Sequence, residues 1–165
     1  WDEILEANKN GSWPYTPSTN LLYGLNEALD MLLDEGMDHV LARHQRWAAG
    51  VRAGVEAWGL EIQCQDPSVY SPVLTGVVMP EGVDADAVRK IIYERFDLSL
   101  GMGLGKAKGK MFRIGHLGDC NDLTLIATLG GCEAGMKLSG VSLKGSGVTA
   151  ALDYFAANPL NAGER

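Results

Sequence analysis

The feature that most limits what this chain can fold into is the changing period of its apolar residues. From residue 18 to 58 they recur at helical spacing, and from 60 to 79 they alternate or run on as in strands. They turn helical again over 84–96, alternate over 110–115, and end helical over 121–157. Leu21, Leu22, Leu25, Leu29, Leu32 and Leu33 mark a first helix opened by the hydroxyl of Ser18 or Thr19 and broken near Gly36. Val40, His44, Trp47, Val51, Val55 and Trp58 form the stripe of a second, and Gly50, Ala53, Gly54 and Ala57 give it a small-residue face open to close approach. Leu60, Ile62 and Cys64 read as a half-buried strand, and residues 73–79 as a central one. Asp84 is placed to cap the next helix, with Val83 and Val88 at the spacing of a hydrophobic staple; Asn121 and Ser146 are placed to cap the last two. The order helix, helix, strand, strand, helix, strand, helix, helix predicts an α/β fold: a sheet of three or four strands with helices packed against it. No repeat and no boundary is seen inside residues 18–157. Residues 1–17, with Gly11, Pro14 and Pro17, read as irregular.

A chain of 165 residues is long enough for one domain with its own core, without a disulfide or metal staple. Its 21 glycines are nearly twice the usual share of about 7% but have no three-residue period, which excludes collagen. No segment approaches the ~20 apolar residues of a membrane span, and no secretory pattern follows Trp1. A first residue other than Met predicts a chain that is processed or cut from something longer. Net charge is −7, against a nucleic-acid partner. Cys64, Cys120 and Cys132 are odd in number and form no C-x-x-C pair, so neither a disulfide framework nor a metal site is expected, but three buried thiols in a reducing cytoplasm.

Few residues carry chemistry. The glycine-rich run at 101–109 invites a phosphate reading, but it matches no G-x-G-x-x-G or P-loop pattern, and a strand follows it where a helix N-terminus is needed. In Met111-Phe112-Arg113-Ile114-Gly115, Phe112 and Ile114 point to the core, and Arg113 shares the other face with Met111 and Gly115, where glycine leaves open space. Arg113 is either half of a structural ion pair or a bidentate ligand for a carboxylate. His116 follows that strand and is within reach of the same pocket, or else caps or meets solvent. His39 and His44 are badly spaced for a shared metal. Tyr15 and Thr16 hold hydroxyls in the stiff run Trp13-Pro14-Tyr15-Thr16-Pro17, either a packing arm or an anion contact.

Three strings carry a resemblance. Residues 13–25, Trp-Pro-Tyr-Thr-Pro-Ser-Thr-Asn-Leu-Leu-Tyr-Gly-Leu, precede Glu-Ala-Leu-Asp at 27–30. Ser-Leu-Gly-Met-Gly-Leu-Gly-Lys at 99–106 precedes Gly-Lys-Met-Phe-Arg-Ile-Gly-His-Leu-Gly at 109–118, and Gly-Ser-Gly-Val stands at 145–148. In order and spacing these resemble class V pyridoxal-phosphate aminotransferases, in the serine–glyoxylate branch, over their C-terminal portion. The resemblance implies the small C-terminal domain of a fold-type I aminotransferase over residues 18–157, an interdomain and dimer-contact arm over 1–17, and a tail over 158–165. It implies that Arg113 binds the substrate α-carboxylate. It implies that Thr16 reaches the cofactor phosphate across a homodimer, and that Trp13 stands where related enzymes place a phosphate-contacting tyrosine. It implies pyridoxal 5'-phosphate as cofactor, small amino-acid and 2-oxo-acid substrates such as serine, alanine and glyoxylate, and a cytoplasmic setting. The Schiff-base lysine of such enzymes lies in a large domain. None of Lys9, Lys90, Lys106, Lys108, Lys110, Lys137 and Lys144 matches its position, so no catalytic residue is expected here, and the chain alone is expected to be inactive. A free-standing dimerisation or binding module is the rival expectation.

Overall fold

A computed structural model describes residues 1–160, so residues 161–165 of the expected tail lie outside the described residues. The chain divides into two compact units, Trp1–Met37 and Asp38–Arg165, so a division falls inside residues 18–157, where the sequence pattern shows no boundary.

The first unit holds α1 (Asp2–Lys9) and α2 (Thr19–Glu35). The helix α1 corrects the expectation that residues 1–17 are irregular. Asp2 and Glu3 in its first turn and Lys9 in its last complement the helix dipole, and the helix ends before Gly11 at φ +68°. The glycine and prolines at 11–17 therefore break the chain only after α1. Within this unit the Tyr15 hydroxyl donates to the Glu3 carboxylate at 3.1 Å. The α2 helix forms where the leucine spacing predicts it, although Ser18 makes no side-chain cap and no residue of α2 is buried. Leu21 is 73% exposed and Leu33 66%.

The second unit holds α3 (Met37–Trp58, beginning one residue before it), β1 (Glu61–Ile62), β2 (Leu74–Val78), α4 (Ala85–Phe96), β3 (Gly101–Met102), β4 (Met111–Gly115), α5 (Asp122–Leu138) and α6 (Gly147–Ala157). The four strands run antiparallel in the order β1-β2-β4-β3, the upper end of the expected strand number. The side-chain caps expected at Asp84, Asn121 and Ser146 all form, and Asn121 and Thr124 close a capping box.

The α3 stripe is buried throughout, as its spacing predicts. On the core face of the sheet Val77 pairs with Phe112 and Thr75 with Ile114; Val77, Phe112 and Ile114 are fully buried. Each such side chain contributes roughly 1.5–3 kcal/mol. The small-residue face of α3 is filled from within the unit. A Cβ at Gly50 would overlap the Phe155 ring, and one at Gly54 would lie 3.0 Å from the Gly147 carbonyl oxygen and 3.3 Å from Leu129. At Gly50 and Gly54 the face is thus occupied by α5 and α6, whereas the aromatic arm at Trp13 and Tyr15, the other feature behind a binding-module reading, stays exposed.

Two polar clusters pin these helices. Glu133 on α5 accepts from Trp58 Nε1 at 3.0 Å, Ser146 Oγ at 3.2 Å, the Gly147 N–H at 2.9 Å and Lys137 Nζ at 2.7 Å. Burial would push its pKa up, but the donors from Lys137, Trp58, Val148 and Ser146 outweigh it and hold the carboxyl at about 2. Arg46 forks onto Asp122 at 2.6 and 2.8 Å, and Trp47 Nε1 donates to the same carboxylate at 3.2 Å. The three cysteines differ from expectation: Cys132 is buried, whereas Cys64 and Cys120 are only half-buried. Among the described residues no His, Cys, Asp and Glu group is arranged to hold a metal, and no helix is long and apolar enough to cross a membrane.

Candidate functional site

Arg113 sits on β4 between β2 and β3, where Gly76 is its partner on one side and Gly101 on the other. Two residues along the strand, on the same face, is Gly115. Three neighbours of the guanidinium on that face thus lack a side chain. A Cβ at Gly115 would meet nothing within 4 Å, which is the open space the strand pattern predicts. Arg113 is half-buried, and its Nε donates to the Met102 carbonyl at 2.9 Å. Among the described residues no ion pair ties it to a carboxylate, so the structural ion-pair reading finds no partner.

The face opens into a cavity of about 290 Å³ lined by Arg113, Arg52, Tyr70, Leu74 and Met111 among others. No Asp or Glu lines it. Arg52 stacks on the Tyr70 ring with its Cζ 4.9 Å from the centroid, so a second guanidinium adds positive potential. Sequence reasoning missed Arg52 and Tyr70. They are far apart in sequence, and no local motif signals that helix α3 and the loop after β1 meet.

His116 is not part of this cavity. It is fully buried and does not line the cavity, although its partner Thr75 does. Its Nδ1 faces the Pro72 carbonyl at 3.0 Å, and a carbonyl only accepts, so Nδ1 carries the proton. Nε2 then accepts from the Thr75 hydroxyl at 2.9 Å. Burial, with the nearby Arg52 charge adding to it, pushes the imidazole down to about 4. It is a neutral structural pin, neither a cap nor a solvent-facing group. His44 is held likewise, donating from Nδ1 to the Val40 carbonyl at 2.7 Å and accepting the Gly118 N–H at 3.2 Å.

The run 101–109 is built largely from regular elements. It holds β3 and a 3₁₀ turn, Gly105–Ala107. Three of its amides are spent internally: Gly103 N–H on Met111, Ala107 N–H on Leu104 and Lys108 N–H on Gly105. Gly103 is required because a Cβ there would overlap the Ala107 carbonyl. These amides are not turned outward to cradle a phosphate.

Thr16 and Trp13 belong to the first unit, where residues 13–17 line an open concavity and both side chains are exposed. No lysine lines this concavity or the Arg113 cavity.

Serine–glyoxylate aminotransferase of Hyphomicrobium methylovorum is 45% identical over 159 residues, 96% of this chain and 39% of that protein. The chain matches class V aminotransferases over their C-terminal portion. The aminotransferase of the same name from Arabidopsis thaliana is 44% identical over 157 residues, again covering 39% of its length. Among solved structures, pyridoxamine–pyruvate aminotransferase of Mesorhizobium loti superposes with a TM-score of 0.83 at 38% identity, over 88% of this chain and 38% of that one. Ureidoglycine–glyoxylate aminotransferase of Bacillus subtilis gives 0.80 at 32% identity, over 87% of this chain and 37% of that one. No protein-family model matches. The chain therefore spans about two-fifths of the length of the aminotransferases it matches. Its α/β fold is that of their C-terminal domain, and these homologues are pyridoxal-phosphate enzymes.

Proposed function

We propose that this chain supplies the substrate-carboxylate site of a pyridoxal-phosphate transaminase, one that moves an amino group between an amino acid such as serine or alanine and glyoxylate. The observation that carries the reading is Arg113: a half-buried guanidinium on a glycine-ringed sheet face, beside a cavity without a carboxylate. With Nε engaged by Met102, its two Nη groups remain to take both oxygens of a small amino or 2-oxo acid. Partial burial strengthens that pairing over its value in water.

The residues present fit one end of the cofactor. The exposed Thr16 hydroxyl and Trp13 indole N–H suit its phosphate, donated from the arm at residues 1–17 to the neighbouring subunit of a homodimer. No lysine lines either concavity, so covalent attachment falls to a large domain outside residues 1–165. Pyridoxal phosphate, when bound, supplies the electron sink for amino-group transfer. In this assignment residues 18–157 act as the small domain and 158–165 as a tail. The setting is cytoplasmic, and the chain alone has no catalytic residue and is inactive. The rival binding-module reading loses the α3 small-residue face, which is filled internally, and rests on the exposed aromatic arm at Trp13 and Tyr15 alone.

The test has two arms. The isolated chain is mixed with pyridoxal phosphate, serine and glyoxylate; no turnover and no borohydride-trapped attachment at a single lysine are expected. The full-length protein carrying this chain is expected to turn over both substrates. A single trapped lysine with turnover in the isolated chain overturns the assignment of inactivity, and a full-length protein inert towards both substrates overturns the transaminase reading.

A further inference from the structure

The proposal above names Arg113 but not what aims it. A Cβ placed on Gly101 would lie 3.0 Å from Arg113 Nε, 3.1 Å from its Cβ and 3.4 Å from its Cζ. The arginine stem and guanidinium thus lie against the bare backbone of β3, so close that a side chain there would require Arg113 to give way by a few tenths of an ångström. The next residue on β3, Met102, supplies the carbonyl that accepts from Nε at 2.9 Å. One glycine and one carbonyl therefore choose which edge of the fork stays free. A guanidinium can meet a carboxylate through its Nε–Nη edge or its Nη–Nη edge, and Met102 occupies the first.

We infer that Gly101 is a positioning residue: its missing side chain lets Arg113 lie on β3, bonded to Met102, and so present the Nη–Nη edge to a substrate carboxylate. The inference rests on the carboxylate reading of Arg113. A methyl group at 101 lifts the guanidinium by a few tenths of an ångström and strains the Nε bond.

The experiment uses the full-length protein with its cofactor and compares Gly101→Ala, Arg113→Gln and the double variant. Inhibition by glycolate, an unreactive analogue of glyoxylate, reports carboxylate affinity. Gly101→Ala is expected to raise the glycolate Ki and the glyoxylate KM about tenfold, with kcat within about twofold and the thermal midpoint unchanged. The double variant is expected to bind no more weakly than Arg113→Gln alone, since both act through one contact. An unchanged Ki in Gly101→Ala, or additive losses in the double variant, overturns the inference while leaving Arg113 as the ligand. An unchanged Ki in Arg113→Gln overturns the carboxylate reading itself. Should Gly101→Ala fail to fold, proton exchange at Arg113 Nε–H in the unaltered protein decides. Slow exchange supports the bond to Met102, and exchange as fast as in a solvated arginine overturns it.

Discussion

Arg113 Nε donates to the Met102 carbonyl at 2.9 Å, a side-chain bond laid across the same β3–β4 pair whose register sets Gly101 opposite Arg113. The guanidinium is thereby held by backbone, not by an acid. Replacing it is expected to be costly. Arg113→Gln in the full-length protein should lower kcat/KM about 100-fold, the loss of about 3 kcal/mol from two charge-assisted hydrogen bonds. Arg113→Lys should recover only part of this, because an ammonium cannot make the fork. Steady-state kinetics with serine and glyoxylate checks both.

His116 makes stability depend on pH. Its imidazole titrates at about 4 when folded against 6.5 as the ordinary value, so between these the unfolded chain binds more protons. Stability from this group is therefore complete above pH 6.5 and is lost as pH falls towards 4, by up to about 3 kcal/mol. Urea unfolding of the second unit at pH 7 and at pH 4.5 should show the drop, and His116→Gln should flatten it.

Glu133 acts in the same direction at lower pH. Its folded pKa of about 2 lies below the ordinary 4.5, so its contribution is present above 4.5 and is lost as pH falls through 2. At neutral pH Glu133→Ala strands the Trp58 indole N–H and the Gly147 N–H in the core. A destabilisation of about 3 kcal/mol is expected in chemical denaturation. Glu133→Gln should cost less, since its amide oxygen still accepts.

Cys132 should be silent to thiol reagents in the folded protein. Burial pushes its thiol up to about 12, and it is fully enclosed in the core. Titration with a chromogenic disulfide should label only the half-buried Cys64 and Cys120 before denaturant is added, and all three after.

Gly147 should tolerate no side chain. A Cβ there would stand 2.5 Å from Trp58 Nε1 and 2.7 Å from the Gly54 carbonyl oxygen. Gly147→Ala is expected to cost roughly 1–3 kcal/mol through forced repacking, visible as a lowered thermal midpoint.

Much of this was legible locally. The α3 stripe, the caps at Asp84, Asn121 and Ser146, and the alternation around Arg113 are short-range patterns, and the folded chain keeps them. The helix at Asp2–Lys9 was not legible, because the glycine and prolines that follow it dominate the local signal. His116 read as a pocket or surface group because nothing nearby in sequence announces that Thr75 and Pro72 enclose it.

By itself, the sequence determined the period of each element, the α/β class, and the placing of Arg113 on the face opposite Phe112 and Ile114, since side-chain alternation in a strand is a local property. Only the tertiary structure decided what surrounds that arginine. The antiparallel register sets Gly76 and Gly101 beside it, Met102 takes its Nε, and Arg52 and Tyr70 arrive from α3 and a distant loop. Register and helix docking come from burying apolar surface across residues remote in sequence, so no window along the chain contains them.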